Sequence, residues 1–186
     1  MKPSDAGEAA FSESELLSGA REGNPEALEE LVALHQSSAF RVALGILGGE
    51  ADAKDAAQDG ILRALKGLAG FRGDASFRTW LLAIVANEAR SMLRRTARRR
   101  EAPRDDDFAA DSLTGGVAEG VVLRAEVARV RALLARLPEK QRLAVQLRVD
   151  EGLSFREVGD VIGSSEGAAR VNYHHGIRRL REWLKE

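Results

Sequence analysis

Apolar residues recur at helical spacing along most of this chain, and no run alternates in the manner of a half-buried strand. Asn24-Pro25-Glu26 reads as a helix start, with Asn at the N-cap, Pro at the first helical position and an acid in the first turn. Leu28, Leu31, Val32, His35, Ala39, Val42, Ala43 and Ile46 then form one stripe, in which His35 is a core-edge residue rather than a ligand. Gly48-Gly49 ends that helix. A second helix is predicted from Asp52 to about Lys66. Its apolar side is Ala57, Ile61, Leu62 and Leu65, and its polar side shows Asp52, Asp55, Gln58 and Asp59. A third spans 76–100, with Ser76 as N-cap. At about 100° per residue, Leu81, Ile84, Val85 and Met92 share one face of it. Asn87, Arg90 and Arg94 fall on the opposite face, with Ser91 at its edge.

Residues 101–120 lose this periodicity. They carry Pro103, Asp105-Asp106-Asp107 and Gly115-Gly116, the composition of a flexible acidic linker. Helical spacing returns over Val121 to Leu137, with Val127, Val130, Leu134 and Leu137 on one side. Pro138 breaks that helix and opens the next, about Glu139 to Asp150. Ser154-Phe-Arg-Glu157 is a capping box for a short helix through Ile162. Gly163-Ser164-Ser165 is a tight turn, and the last helix runs from Glu166 to about Lys185. A short helix, a Gly turn and a polar second helix make the helix-turn-helix pattern. Val158, Val161, Ile162, Ala169, Tyr173 and Ile177 would be its core, and Arg170, Asn172, His174 and His175 its exposed face. The expected fold is all-α. Two small helical domains, 14–100 and 121–186, are joined by the linker and do not share one core. Residues 1–13 are polar and expected to be mobile.

Composition removes several alternatives. The chain has no cysteine, so disulfides and thiolate metal sites are excluded. Its three histidines are His35, His174 and His175, and adjacent helical residues diverge too far to ligate together. The opening residues lack the apolar core of a signal peptide, and no apolar run is long enough to span a bilayer. A cytoplasmic protein without membrane insertion is therefore expected. No nucleophile–base pair, phosphate loop or metal cluster stands out, so neither an enzyme nor a cofactor is expected.

Charge is patterned although the net is only −1. Residues 1–89 carry −6, residues 90–100 carry +6, residues 101–126 carry −5 and residues 127–186 carry +4. Two basic blocks flanking an acidic one suggest two nucleic-acid contacts. Arginines at a helix end also suit the macrodipole, which is the plainer account of 90–100 and of Arg178, Arg179 and Arg181. In the loop before the third helix, Phe71 and Arg72 lie among Gly70 and Gly73. They could stack on an unpaired base. Phe71 alternatively plugs the core under the turn.

Three blocks in the first half share one resemblance: Asp55-Ala-Ala-Gln-Asp-Gly-Ile-Leu-Arg-Ala, Phe71-Arg-Gly-Asp-Ala-Ser-Phe-Arg-Thr-Trp-Leu and Asn87-Glu-Ala-Arg-Ser-Met-Leu-Arg-Arg. Together they resemble region 2 of an extracytoplasmic-function (ECF) sigma factor. Leu137-Pro-Glu-Lys-Gln-Arg, Glu151-Gly-Leu-Ser-Phe-Arg-Glu-Val and Gly163-Ser-Ser-Glu-Gly-Ala-Ala-Arg resemble its region 4. The resemblance covers about Glu15 to Trp183. It implies core RNA polymerase as partner, with region 2 on the β′ coiled coil and region 4 on the β flap. It also implies promoter DNA and an anti-sigma factor. By position it assigns Asp52, Asp55, Gln58, Asp59 and Leu62 to polymerase docking. Phe71, Arg72, Gly73, Asp74, Ser76, Asn87, Arg90, Ser91 and Arg94 go to recognition and melting of the −10 element. Arg170, Asn172, His174, His175 and Arg178 go to the −35 element. Gly60, Ser91 and Ala169-Arg-Val-Asn depart from the family's usual residues, which affects promoter sequence rather than class. The rival reading is a polymerase-independent regulator that uses the helix-turn-helix on operators.

Overall fold

The computed structural model describes residues 12–101 and 129–185, which form helices and turns without a strand among them. Helix α1 (Glu13–Arg21) opens on a capping box made by Ser12 and Glu15. The sequence pattern does not anticipate α1, although Ser12-x-x-Glu15 carries the S-x-x-E signal. Helix α2 (Pro25–Leu47) begins as expected, with the Asn24 side chain accepting from the amides of Glu26 and Ala27. It ends at Gly48, whose φ of 78° closes the helix in the left-handed region. Helix α3 (Glu50–Lys66) and a 3-10 turn (Leu68–Gly70) lead to α4 (Phe77–Glu101). The Ser76 hydroxyl accepts from the Thr79 amide and caps α4.

Helix α4 is the centre of the molecule. It packs against α2, α3 and a later helix, Phe155–Ile162. Leu81 and Val85 are buried as predicted, but so are Phe77, Thr79, Leu82, Ala86, Glu88 and Ala89, because neighbours cover α4 on more than one side. Helix α3 approaches it closely. Ala53, Ala56, Ala57, Gly60 and Ala64 form its buried face. A Cβ on Gly60 would stand 2.9 Å from the Val85 Cα, so this departure from the family pattern has a packing reason. Leu62 departs from the predicted apolar side and is 46% exposed.

In the second half, residues 129–135 are helical (α5), and α6 (Glu139–Val149), α7 (Phe155–Ile162) and α8 (Glu166–Trp183) follow. Leu137 is buried as predicted, Leu133 is buried in place of Val130, which is exposed, and Val127 lies outside the described residues. The linker expected over 101–120 and the N-terminal residues 1–11 also lie largely outside them. The α7 capping box forms, with Ser154 and Glu157 bonding reciprocally, and Gly163 ends α7. Val158, Val161, Ile162 and Ala169 are buried as predicted, while Tyr173 packs at the margin of the core.

One expectation is overturned. The two halves share a buried cluster: Leu143, Ala144 and Leu147 of α6 and Val158 and Val161 of α7 join the apolar residues of α2 and α4. Periodicity could not show this, since it locates an apolar face but not its partner.

Candidate nucleic-acid interface

The exposed side of α3 carries Asp52, Asp55, Gln58 and Asp59, all solvent-facing, with the Leu62 side chain at the end of the row. None of these groups is needed for packing, and an acidic surface with an apolar end can meet a basic, partly apolar one.

The loop before α4 holds Arg72, which is highly exposed and lies 3.4 Å from Asp74. Gly73 sits at φ 81°. Phe71 is not free. Its ring packs on Trp80 at 5.0 Å and Phe77 at 5.7 Å, with the Arg21 guanidinium over it. Arg21 also donates to the Phe71 carbonyl at 2.5 Å. The plug under the turn is therefore what the structure contains. His35 is buried against Phe77, with Nε2 3.4 Å from a Glu13 carboxylate oxygen. Burial, before any charge effect, pushes its pKa below the usual value.

Along α4, Asn87 and Arg94 face solvent, and Ser91 is half-buried. Arg90 does not share their exposure. Its side chain is only 18% exposed, and Nε donates to Glu139 at 2.8 Å. Helix α7 packs against α4 there and Glu139 at the start of α6 takes the guanidinium, a cause invisible to a helical-wheel reading. Ser76 is likewise engaged: its hydroxyl donates to Thr79 at 2.8 Å and lies 3.5 Å from Glu157. Thr79 donates to the same Glu157 oxygen at 3.0 Å.

On α8, Arg170 pairs with Glu166 at 2.9 Å and stacks over Phe155. Asn172 donates to the Ala168 carbonyl at 2.8 Å, which spends one amide hydrogen within the helix. His174 packs near Tyr173 and Phe155 yet stays exposed, as do His175 and Arg178. Val171 is 53% exposed among them. The sequence pattern leaves it unassigned, but its spacing of three from Ala168 and four from His175 puts it on their face. An apolar contact there suits a thymine methyl group.

The exposed parts of α4 and α8 thus offer two separate polar, partly basic surfaces, one on each half. Residues 31–99 match Sigma-70 region 2, and residues 133–182 match Sigma-70, region 4. The chain belongs to the ECF RNA polymerase sigma factors. It is 32% identical over 168 residues to the RNA polymerase sigma-H factor of Pseudomonas aeruginosa, covering 85% of this chain and 86% of the relative. It is 32% identical over 173 residues to the ECF sigma factor SigM of Mycobacterium tuberculosis, covering 93% and 85%. A solved structure of CnrH in complex with the cytosolic domain of CnrY superposes with a TM-score of 0.68 at 27% identity, covering 91% of this chain and 95% of that one. The sigma factor RpoE solved with the anti-sigma factor NepR from Bartonella quintana, at 21% identity and a TM-score of 0.67, shares the fold.

This sigma factor serves transcription initiation, with region 2 for the −10 element and region 4 for the −35 element. No helix among the described residues is long and apolar enough to cross a membrane. Sequence reasoning missed the carboxylates that link the two regions, Glu139, Glu151 and Glu157. The signal available was the S-x-x-E box that orients Glu157.

Proposed function

We propose that this sigma factor brings core RNA polymerase to its promoters in the cytoplasm, with no catalytic step of its own. Region 2 (14–100) docks on the β′ coiled coil through Asp52, Asp55, Gln58, Asp59 and Leu62. Arg72, Gly73, Asp74, Ser76, Asn87, Arg90, Ser91 and Arg94 serve the −10 element, with Phe71 holding the loop in shape. Region 4 (121–186) meets the β flap and reads the −35 element with Arg170, Asn172, His174, His175 and Arg178. Residues 101–120 connect the two. An anti-sigma factor is the inhibitory partner, in keeping with the complexes in which similar sigma factors were solved.

The observation that carries this reading is the exposed acidic face of α3 ending in Leu62. A row of acids that ends in a leucine offers a basic, partly apolar partner both charge complementarity and an apolar contact. The test replaces Asp55 and Gln58 with Ala and measures core-polymerase affinity and run-off transcription. Both side chains are outside the core, so folding stability should change by less than about 0.5 kcal/mol. Affinity for core should drop, with specific transcripts lost in proportion. Unchanged affinity would remove α3 from the docking surface.

A further inference from the structure

Helix α8 carries a valine that the fold does not use. Val171 is 53% exposed and takes no part in the buried cluster. A β-branched residue is also a weaker helix former than alanine. Single exposed apolar residues are ordinary on a protein surface. The place of Val171 on the helix is what sets it apart.

At about 100° per residue, Gly167, Ala168, Val171, His174, His175 and Arg178 span about 120° of α8, with Val171 at the middle of the arc. Every one of these residues is exposed, and none is acidic. The arc opens on two small residues. A Cβ on Gly167 would meet nothing within 4 Å, and Ala168 adds a single methyl group. Val171 is therefore the first side chain to rise from this face, and the helix backbone ahead of it can come close to a partner. In a helix-turn-helix it is the N-terminal part of the second helix that meets base edges.

Arg170 and Asn172 stand just outside the two edges of the arc, and both are already engaged. The Arg170 guanidinium pairs with Glu166 at 2.9 Å and lies 5.1 Å from the centre of the Phe155 ring, and Arg148 lies at the same distance from that ring. Cations held in this way suit phosphates, which carry no sequence information. The half-buried Asn172 amide donates to the Ala168 carbonyl at 2.8 Å.

We infer that Val171 is a specificity-determining residue of region 4, which selects a thymine in the −35 element through its C5 methyl group, while Arg170 and Asn172 hold α8 in register. The inference rests on the sigma-factor reading above. The thymine methyl is the apolar feature of the major groove, and an isopropyl group packs on it. Valine has no donor or acceptor. A base that presents only polar atoms to it gives up water and gains no bond in return. Selection therefore works by attraction to thymine and by penalty on the alternatives.

The test uses holoenzyme assembled from core polymerase and the full chain. Run-off transcription and start-site mapping locate a promoter, and the base pairs of its −35 element are then randomised. Selection by the parent should retain a thymine at one position on one strand. Deoxyuridine in its place removes the methyl group and keeps every hydrogen-bonding atom. Parent affinity should then fall about fourfold, the effect of one buried carbon. Val171→Ala should bind the thymine and uracil duplexes equally and should tolerate other bases at that position. The position is exposed and alanine is the better helix former, so this variant keeps its fold. Arg170→Ala should weaken every sequence evenly and flatten the salt dependence. Asn172→Ala should leave the uracil effect in place. A parent indifferent to the methyl group at every thymine of the element, or a uracil effect that survives Val171→Ala, overturns the inference. A uracil effect lost in Asn172→Ala or Arg170→Ala overturns it as well. Failure of the sigma-factor reading would appear earlier, as no specific run-off product from the parent, and the inference would fall with it.

Discussion

Glu88 and Glu151 are both buried glutamates gripped by two arginines, yet they act at different levels of structure. Glu88 lies on α4 with its side chain 3% exposed, 2.8 Å from Arg63 of α3 and 2.8 Å from Arg95 of α4. The helices it ties are already held by Ala53, Ala56, Ala57, Val85 and Ala86 in one apolar core. Glu151 instead ties region 4 to Arg41 and Arg78, more than 70 residues away in sequence. Loss of the first leaves two helices that must still fit each other. Loss of the second weakens one polar tie, at the seam between halves that still share the buried apolar cluster. The same chemistry therefore acts within one region in one place and between two regions in the other.

The largest effect expected from this contrast comes from removing the arginines. Arg63→Ala with Arg95→Ala strands the Glu88 carboxylate inside region 2, at a cost of about 3–5 kcal/mol. Glu88→Ala should cost less, about 1–3 kcal/mol, because both guanidiniums are more than half exposed and can rehydrate. Arg41→Ala with Arg78→Ala should cost less than about 1 kcal/mol, since Glu151 reaches water once the halves part. Urea unfolding of each variant measures these values. Comparable losses from the two arginine pairs would show that Glu151 is as much a part of the fold as Glu88.

Acid separates the two nodes next. Burial pushes the Glu151 carboxyl up, but its bonds from Ser38, Arg41 and Arg78 outweigh burial and leave its pKa below the ordinary value of 4.5. Glu157 is also held below 4.5 against burial, but chiefly by its own capping partner Ser154, with smaller help from Thr79 and Ser76, so it responds less to contact between the regions. A group whose pKa is lowered at the seam favours the joined state above its ordinary pKa and releases it as pH falls through the lowered value. The seam should therefore be intact above about pH 4.5 and should loosen below it. Small-angle scattering should show the radius of gyration rising there before helicity is lost. Coincident loss of helicity and compactness would contradict a separable seam.

The two nodes also mark what the sequence discloses. Helix starts were legible where a side chain caps its own backbone, as at Asn24 and Ser154, because the signal and its partner lie within four residues. The exposed row on α3 was legible because its acids fall outside a short apolar repeat. The seam was not. Glu151, Arg41 and Arg78 have the composition of ordinary solvated charges, and only their distant partners give them a role. Arg90 was misplaced for the same reason, and Gly45 gives no sign in sequence that α6 will lie against it. Val171 escaped because an exposed valine looks like any other apolar position.

The smallest effect concerns His35, which borders the seam through Arg78. Three surroundings set its charge: burial against Phe77, the Glu13 carboxylate, and the Arg78 guanidinium. Burial lowers its pKa most, Glu13 opposes that, and Arg78 adds to the lowering. Because the folded pKa lies below the ordinary value of 6.5, the unfolded chain binds the proton more readily. Region 2 should accordingly lose stability as pH falls below about 6.5, and the loss should stop once pH passes the folded value. Arg78→Ala removes a like charge and should move the His35 pKa back toward 6.5, while Glu13→Ala should lower it further. Nuclear magnetic resonance can follow the His35 imidazole through the titration. Glu151→Ala gives the discriminating measurement. If Glu151 holds Arg78 where it faces His35, freeing Arg78 should also raise the His35 pKa, though by less than deleting the guanidinium. A His35 pKa that responds to Arg78→Ala but not to Glu151→Ala would mean that Arg78 keeps its place without the carboxylate, and the seam would then be a contact between two rigid surfaces.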